Sequence, residues 1–168
     1  MRFTTTIAAS LALLTRLASA DFDVYAGTTN SVGEGHFAET WYIFQGEPNC
    51  NDAWNAKEYY ESDDVSGKYR TGFRCEGKGC WGTNNPGDIE ELEMHFSNNP
   101  LFHWTIYKNR GYPYKLFGVN GEVQGECHSF AGDDFGCPVV APWPGQRSGV
   151  RKLRCYTRAS AAEIQNAK

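Results

Sequence analysis

Beyond its first twenty residues the chain holds no apolar run that approaches the roughly 18–20 residues a membrane-spanning helix needs. Its end lacks the small-residue site, spacer and apolar tail of a lipid-anchor signal. No Asn-x-Ser/Thr acceptor occurs, so N-glycosylation is not expected. Neither a Gly-x-Ser-x-Gly elbow nor a His-Glu-x-x-His helix is present, and the local signatures of serine hydrolases and zinc proteases are thereby excluded. Positive charge is also short, with 16 Lys and Arg against 20 Asp and Glu. That balance argues against a nucleic-acid binder, which carries a basic footprint.

What is present starts with a targeting segment. "MRFTTTIAASLALLTRLASA" has a basic residue at Arg2, an apolar stretch from Ile7 to Leu14 and the small residues Ala18-Ser19-Ala20, the order of a secretory signal peptide. The expected organisation is therefore a signal peptide over 1–20 and one disulfide-stabilised β domain over 21–168. Removing Arg2 and Arg16 leaves 14 basic and 20 acidic residues, a net charge of −6. The 148 remaining residues suffice for one hydrophobic core. All six cysteines, Cys50, Cys75, Cys80, Cys127, Cys137 and Cys155, lie in that part. An even count in a secreted chain predicts three disulfides. Short glycine-bearing loops favour local bridges 75–80 and 127–137, leaving Cys50 with Cys155. Cys75 and Cys80 have a spacing that suits two zinc ligands, but no second pair follows; no metal or cofactor is expected.

Short β-rich runs recur between glycine, asparagine and proline. Strands are predicted at 22–25, 40–44, 72–75, 92–96, 102–107, 114–117, 122–127 and 150–156. Asn120-Gly121 predicts a hairpin with positive φ at both central positions. Helix is scarce: Asn51 is a candidate cap for a short turn, and Ser160-Ala-Ala-Glu163 forms a capping box for a final helix. The segment 136–149, "GCPVVAPWPGQRSG", reads as a proline-rich loop. The fold class is mainly β, a single antiparallel sandwich or barrel-like domain with three disulfides and a short C-terminal helix.

One hairpin carries two of the four histidines. In "LEMHFSNNPLFHWTIY", Leu92, Met94 and Phe96 alternate with polar residues, as do Phe102, Trp104 and Ile106. Matching the apolar faces sets Phe96 against Phe102, Met94 against Trp104 and Leu92 against Ile106. His95 then opposes His103, with Glu93 beside Thr105 and Glu91 beside Tyr107. The six apolar residues are expected to be buried, with the histidines on a half-exposed face lacking a third metal ligand. A competing local pattern, Asp88-Ile-Glu-Glu91, would instead cap a helix running to Phe96.

The candidate acid–base residues are His36, Glu93, His95, His103, Arg110 and His128. In chain order, His36, Glu93, Arg110 and His128 resemble the histidine, glutamate, arginine, histidine order of secreted fungal guanine-specific ribonucleases. A carboxylate base, an imidazole acid and a guanidinium on a developing phosphorane make chemical sense together. Copper-dependent polysaccharide oxidation needs a histidine at the mature N-terminus, where cleavage after Ala20 would leave Asp21. Asp63-Asp64 and Asp133-Asp134 sit in loops without the EF-hand order. Trp81 and Trp143, in loops, are candidate exposed platforms for sugar rings or a protein pocket. Lys152 and Arg154 form a candidate anion patch on what reads as an edge strand protected by charge.

The stretches "DFDVYAG", "WYIFQGEPNC", "DDVSGKYRTGFRCEGKGC", "LEMHFSNNPLFHWTIYKNRGY" and "RKLRCYT" together resemble small secreted cysteine-containing proteins that filamentous fungi encode without an assigned activity. The likeness covers most of the mature chain and supplies no catalytic residues. It implies an extracellular effector toward a host or competitor. The expected function is then a monomeric, non-enzymatic binding protein whose partner is a host protein or cell-wall polysaccharide. The alternative is a small secreted hydrolase, such as a ribonuclease using His, Glu and Arg.

Overall fold

The computed structural model describes residues 20–31, 36–139 and 145–167. Residues 1–19 of the expected signal peptide, and Trp143, lie outside them. The described strands are β1 (Ala20–Ser31), β2 (His36–Phe44), β3 (Tyr59–Tyr60), β4 (Gly72–Gly77), β5 (Ile89–His95), β6 (His103–Tyr107), β7 (Tyr114–Gly118), β8 (Val123–Ser129), β9 (Phe135–Val139) and β10 (Gly145–Thr157). Two short helices, α1 (Cys50–Asn55) and α2 (Ala161–Asn166), complete the fold.

The strands form one antiparallel meander in the order β3-β2-β1-β10-β8-β7-β6-β5-β4. Its ends nearly meet: Glu61, just past β3, bridges Phe73 of β4, and the Ser62 N–H donates to the Phe73 carbonyl at 2.9 Å. The result is a nearly closed barrel, which leaves little free strand edge. β10 is long enough to pair with β1 along its length on one side. On the other it takes β8 against its second half and β9 against its first. The predicted edge strand is thus an interior one. Pro138 is tolerated in β9 because that strand pairs on one side only. The segment read as a loop over 136–149 contributes 136–139 to β9 and 145–149 to β10.

The barrel is filled rather than hollow. Phe22, Trp41, Phe73, Leu92, Met94, Phe96, Trp104, Ile106, Leu116 and Leu153 meet inside it. Trp41 stacks on Phe73 at 4.8 Å, and Phe22 on Trp104 at 5.7 Å. Each such side chain contributes about 1.5–3 kcal/mol on full burial. A smaller outer cluster of Tyr25, Tyr42, Phe44 and Phe135 is covered with Ala53 of α1. Asn49, rather than Asn51, caps α1. The Ser160 capping box forms as predicted, and α2 docks through buried Ala161 and Ile164. No described helix is long and apolar enough to cross a membrane.

Three disulfides form: Cys75–Cys80, Cys50–Cys137 and Cys127–Cys155. The first matches the sequence reading; the other two replace the expected 127–137 and 50–155 pairs. The cause is the collinearity of β8 and β9. Cys127 opposes Cys155 and Cys137 opposes Arg147, eight residues apart along β10, or ~26 Å at strand rise. The turn at Asn120-Gly121 also differs in detail. Only Gly121 has positive φ, at 78°, and Gly118 pairs with Glu122 around a three-residue loop.

Candidate functional site

The histidine hairpin adopts the register that its alternation predicts. Leu92 opposes Ile106, Glu93 opposes Thr105, Met94 opposes Trp104 and His95 opposes His103. The Phe96 N–H donates to the Phe102 carbonyl at 2.9 Å, closing the loop end. The competing helix over 88–96 does not form, because those residues are β5 after one 3-10 turn at Pro86–Asp88. Phe102 is only partly buried, unlike its five apolar companions.

The polar face departs from expectation. His95 and His103 are 3 % and 9 % exposed, not half-exposed. The segment between β3 and β4 folds over them, and the His95 Nδ1–H donates to the Val65 carbonyl at 2.7 Å. The two imidazoles stack at 4.2 Å with 7° between their planes. His103 Nε2–H donates to Glu93 Oε1 at 2.7 Å, and Arg74 Nε–H donates to Glu93 Oε2 at 3.3 Å. Arg74 also pairs with Glu91 and Glu76. Burial opposes the charge on Arg74, but the bonds and charges of its three glutamates outweigh it and hold the pKa above the ordinary arginine value.

This cluster opens on a cleft of about 380 Å³, lined among others by Glu93, His103, Ser66, Tyr107, Phe117 and Arg110. Arg110 follows β6 in a 3-10 turn and lies 4.4 Å over the Tyr107 ring and 4.5 Å over the Phe117 ring. That double cation–π contact holds an exposed guanidinium at the cleft wall. The Ser66 hydroxyl donates to Asp64 Oδ1 at 2.5 Å, so its proton is directed away from His103. The chemistry available is an imidazole oriented by a buried carboxylate, with a cation lining the same cleft. Among the described residues no group of three or more His, Cys, Asp or Glu is placed to hold a metal ion.

Of the six acid–base candidates, Glu93, His95, His103 and Arg110 come together here. His36 begins β2, which β3 and β4 separate from β5. His128 lies on β8, beside Glu126 at 3.2 Å. The ribonuclease-like chain order therefore does not assemble as one site, although Glu93 and Arg110 share a cleft. Sequence reasoning missed Arg74, Tyr107, Phe117 and the cover at Val65. Arg74 opposes Glu93 in the β4–β5 pairing, a register that becomes readable only once those strands are known to be neighbours.

The candidate binding residues are placed differently from expectation. Trp81 is partly buried against the core, 5.4 Å from Trp41, rather than a free platform. Lys152 has no exposed surface; its Nζ donates to the carbonyls of Trp81, Gly82 and Asn84 at 3.3, 2.8 and 3.2 Å. Burial pushes its pKa down to about 8. It is the extra residue where the β1–β10 register shifts, since Val24 opposes Leu153 and Tyr25 opposes Arg151. Arg154 is paired with Asp23 through two bonds of 2.7 Å. The loop acids are engaged too: Asp64 with Arg70, Asp133 with Arg151. Against family models, characterised proteins and solved structures, the chain finds no match.

Proposed function

We propose that this protein is a small secreted hydrolase with His103 as its general acid–base, cleavage of RNA being the most specific form. The observation that carries the reading is the Glu93–His103 pair at 2.7 Å, set at a cleft whose wall holds Arg110. Of the aliphatic cleft hydroxyls, neither Ser66, which donates to Asp64, nor Thr105 is hydrogen-bonded to His103, whose ring bond goes to Glu93. A substrate that supplies its own nucleophile suits such a site, and the 2′-hydroxyl of RNA is one. His103 takes the proton as that oxygen attacks phosphorus, and returns it to the departing 5′ oxygen. Glu93 supports the imidazolium between those steps, and Arg110 carries the charge growing on the phosphoryl oxygens. The acidic net charge argues against a broad RNA footprint, and the reading rests instead on the one cation at the cleft, Arg110. Three disulfides suit an oxidising compartment, and action on a host or competitor is the biological setting we propose.

A second reading, partner binding without turnover, is favoured by one feature: both Glu93 oxygens are already engaged, by His103 and by Arg74. The two readings separate in one experiment. Purified protein is incubated with single-stranded RNA, with and without chelator, beside His103→Ala. Turnover that survives chelation and falls roughly 10²–10⁴-fold in the variant, with folding unchanged, supports catalysis. No turnover by the wild type, or equal turnover by both, overturns it.

A further inference from the structure

A separate feature lies on the outer face of β8 and β10 and the turn leading into β7, distinct from the cleft. Tyr112 is 63 % and Tyr156 40 % exposed, yet neither belongs to either apolar cluster. The His128 ring sits between them, edge to face with both, at 5.8 Å from Tyr112 and 5.7 Å from Tyr156. Three aromatic rings thus run in a strip over the barrel surface. The fold gains little from leaving them in water.

The strip is held rigidly. Glu126 opposes Tyr156, and the next residue, Cys127, is bonded to Cys155. Tyr112 rests edge-on against buried Tyr114 at 5.7 Å, and the Tyr114 hydroxyl donates toward the Gly87 carbonyl at 3.2 Å. Rigid tyrosines offer large amphipathic contact at low entropic cost. Polar groups flank the rings: Lys115 Nζ donates to Glu126 Oε2 at 2.6 Å, and His128 Nε2 lies 3.2 Å from Glu126 Oε1. Lysine and glutamate cancel in charge, so the strip does not demand a charged ligand.

Rings beside balanced donors and acceptors match a pyranose chain, which has apolar C–H faces and a rim of hydroxyls. The exposed parts of two tyrosines and an imidazole amount to a few hundred Å², below the ~800 Å² per partner of a specific protein interface. We infer that Tyr112, His128 and Tyr156 form a binding strip for a neutral polysaccharide, each tyrosine stacking on a sugar ring of one chain. This replaces Trp81 as the sugar platform and is independent of whether the cleft turns over RNA.

The test is retention on insoluble cellulose and chitin, with polygalacturonate as an anionic control and immobilised albumin as a protein control. The wild type is expected to be retained by at least one neutral glycan and by neither control. The Tyr112→Ala/Tyr156→Ala double variant should bind roughly tenfold more weakly, with an unchanged thermal midpoint, and Tyr156→Phe should bind like the wild type. Retention on no neutral glycan, preference for polygalacturonate or albumin, or equal binding by the double variant would overturn the inference.

Discussion

Asp23 and Glu93 are both buried carboxylates on the outward face of the barrel, and they keep different company. Asp23 is met by Arg151 at 3.1 Å and by Arg154 at 2.7 Å, both lying under the Phe130 ring. Arginine does not lose its proton in proteins, so each charge there needs the other. Glu93 is met by Arg74 and by an imidazole, and it lines a cleft. Arg74 has two further glutamates, and the imidazole has a neutral form. One centre is an ion cluster that holds β1 to β10; the other sets a carboxylate and an imidazole at a cleft. A buried carboxylate is thus informative through its partners rather than its depth.

The contrast can be broken by substitution. Asp23→Ala strands Arg154 and leaves buried Arg151 with Asp133 as its one carboxylate, and urea unfolding should show a loss of about 3–5 kcal/mol. Glu93→Ala should cost about 1–2 kcal/mol by the same measurement, because Arg74 keeps Glu91 and Glu76. Equal losses would erase the distinction. Trp104→Ala, removing a ring 2 % exposed from the barrel core, should cost about 3–5 kcal/mol. His95→Ala, which a half-exposed face would have made nearly silent, should cost about 1–3 kcal/mol through the orphaned Val65 carbonyl.

A third buried charge, Lys152, gives a pH test of intermediate size. Its pKa falls from 10.5 in the unfolded reference to about 8 in the fold. Between those values the unfolded chain binds more protons, so stability rises with pH and is lost again as pH falls to about 8. A gain on the order of 2 kcal/mol should appear between pH 8 and pH 10. Further up it is opposed by Tyr25 and Tyr59, whose phenols burial pushes up. Lys152→Met should flatten the rise, and an unaltered slope would contradict the burial of this amine. The smallest stability effect belongs to Arg110→Ala at the exposed cleft wall, within about 0.5 kcal/mol. If the cleft is catalytic, its turnover of RNA should nevertheless fall at least roughly tenfold.

Much of the local structure was readable from residue order. Alternation alone specified the Leu92–Ile106 and Met94–Trp104 pairs, since a one-residue slip would have turned a core face to water. The capping box at Ser160 and the Cys75–Cys80 bridge were readable for the same reason: partners a few residues apart have few alternatives. The cover on His95, the bond from Arg74 to Glu93 and the inward Lys152 were not readable. They join residues 30, 19 and about 70 positions apart. The Cys127–Cys155 pair likewise depended on β8 and β9 sharing one side of β10. Pattern along a chain specifies which face of a strand is apolar, and it does so through interactions only a few residues long. Which strands become neighbours, and what folds over their outer face, follows from the near-closure of the barrel, where distant segments meet and burial is completed. Sequence order therefore determined the hairpin and its facing histidines, while tertiary structure decided that both are buried, His95 under Val65 and His103 beside a cleft with Glu93.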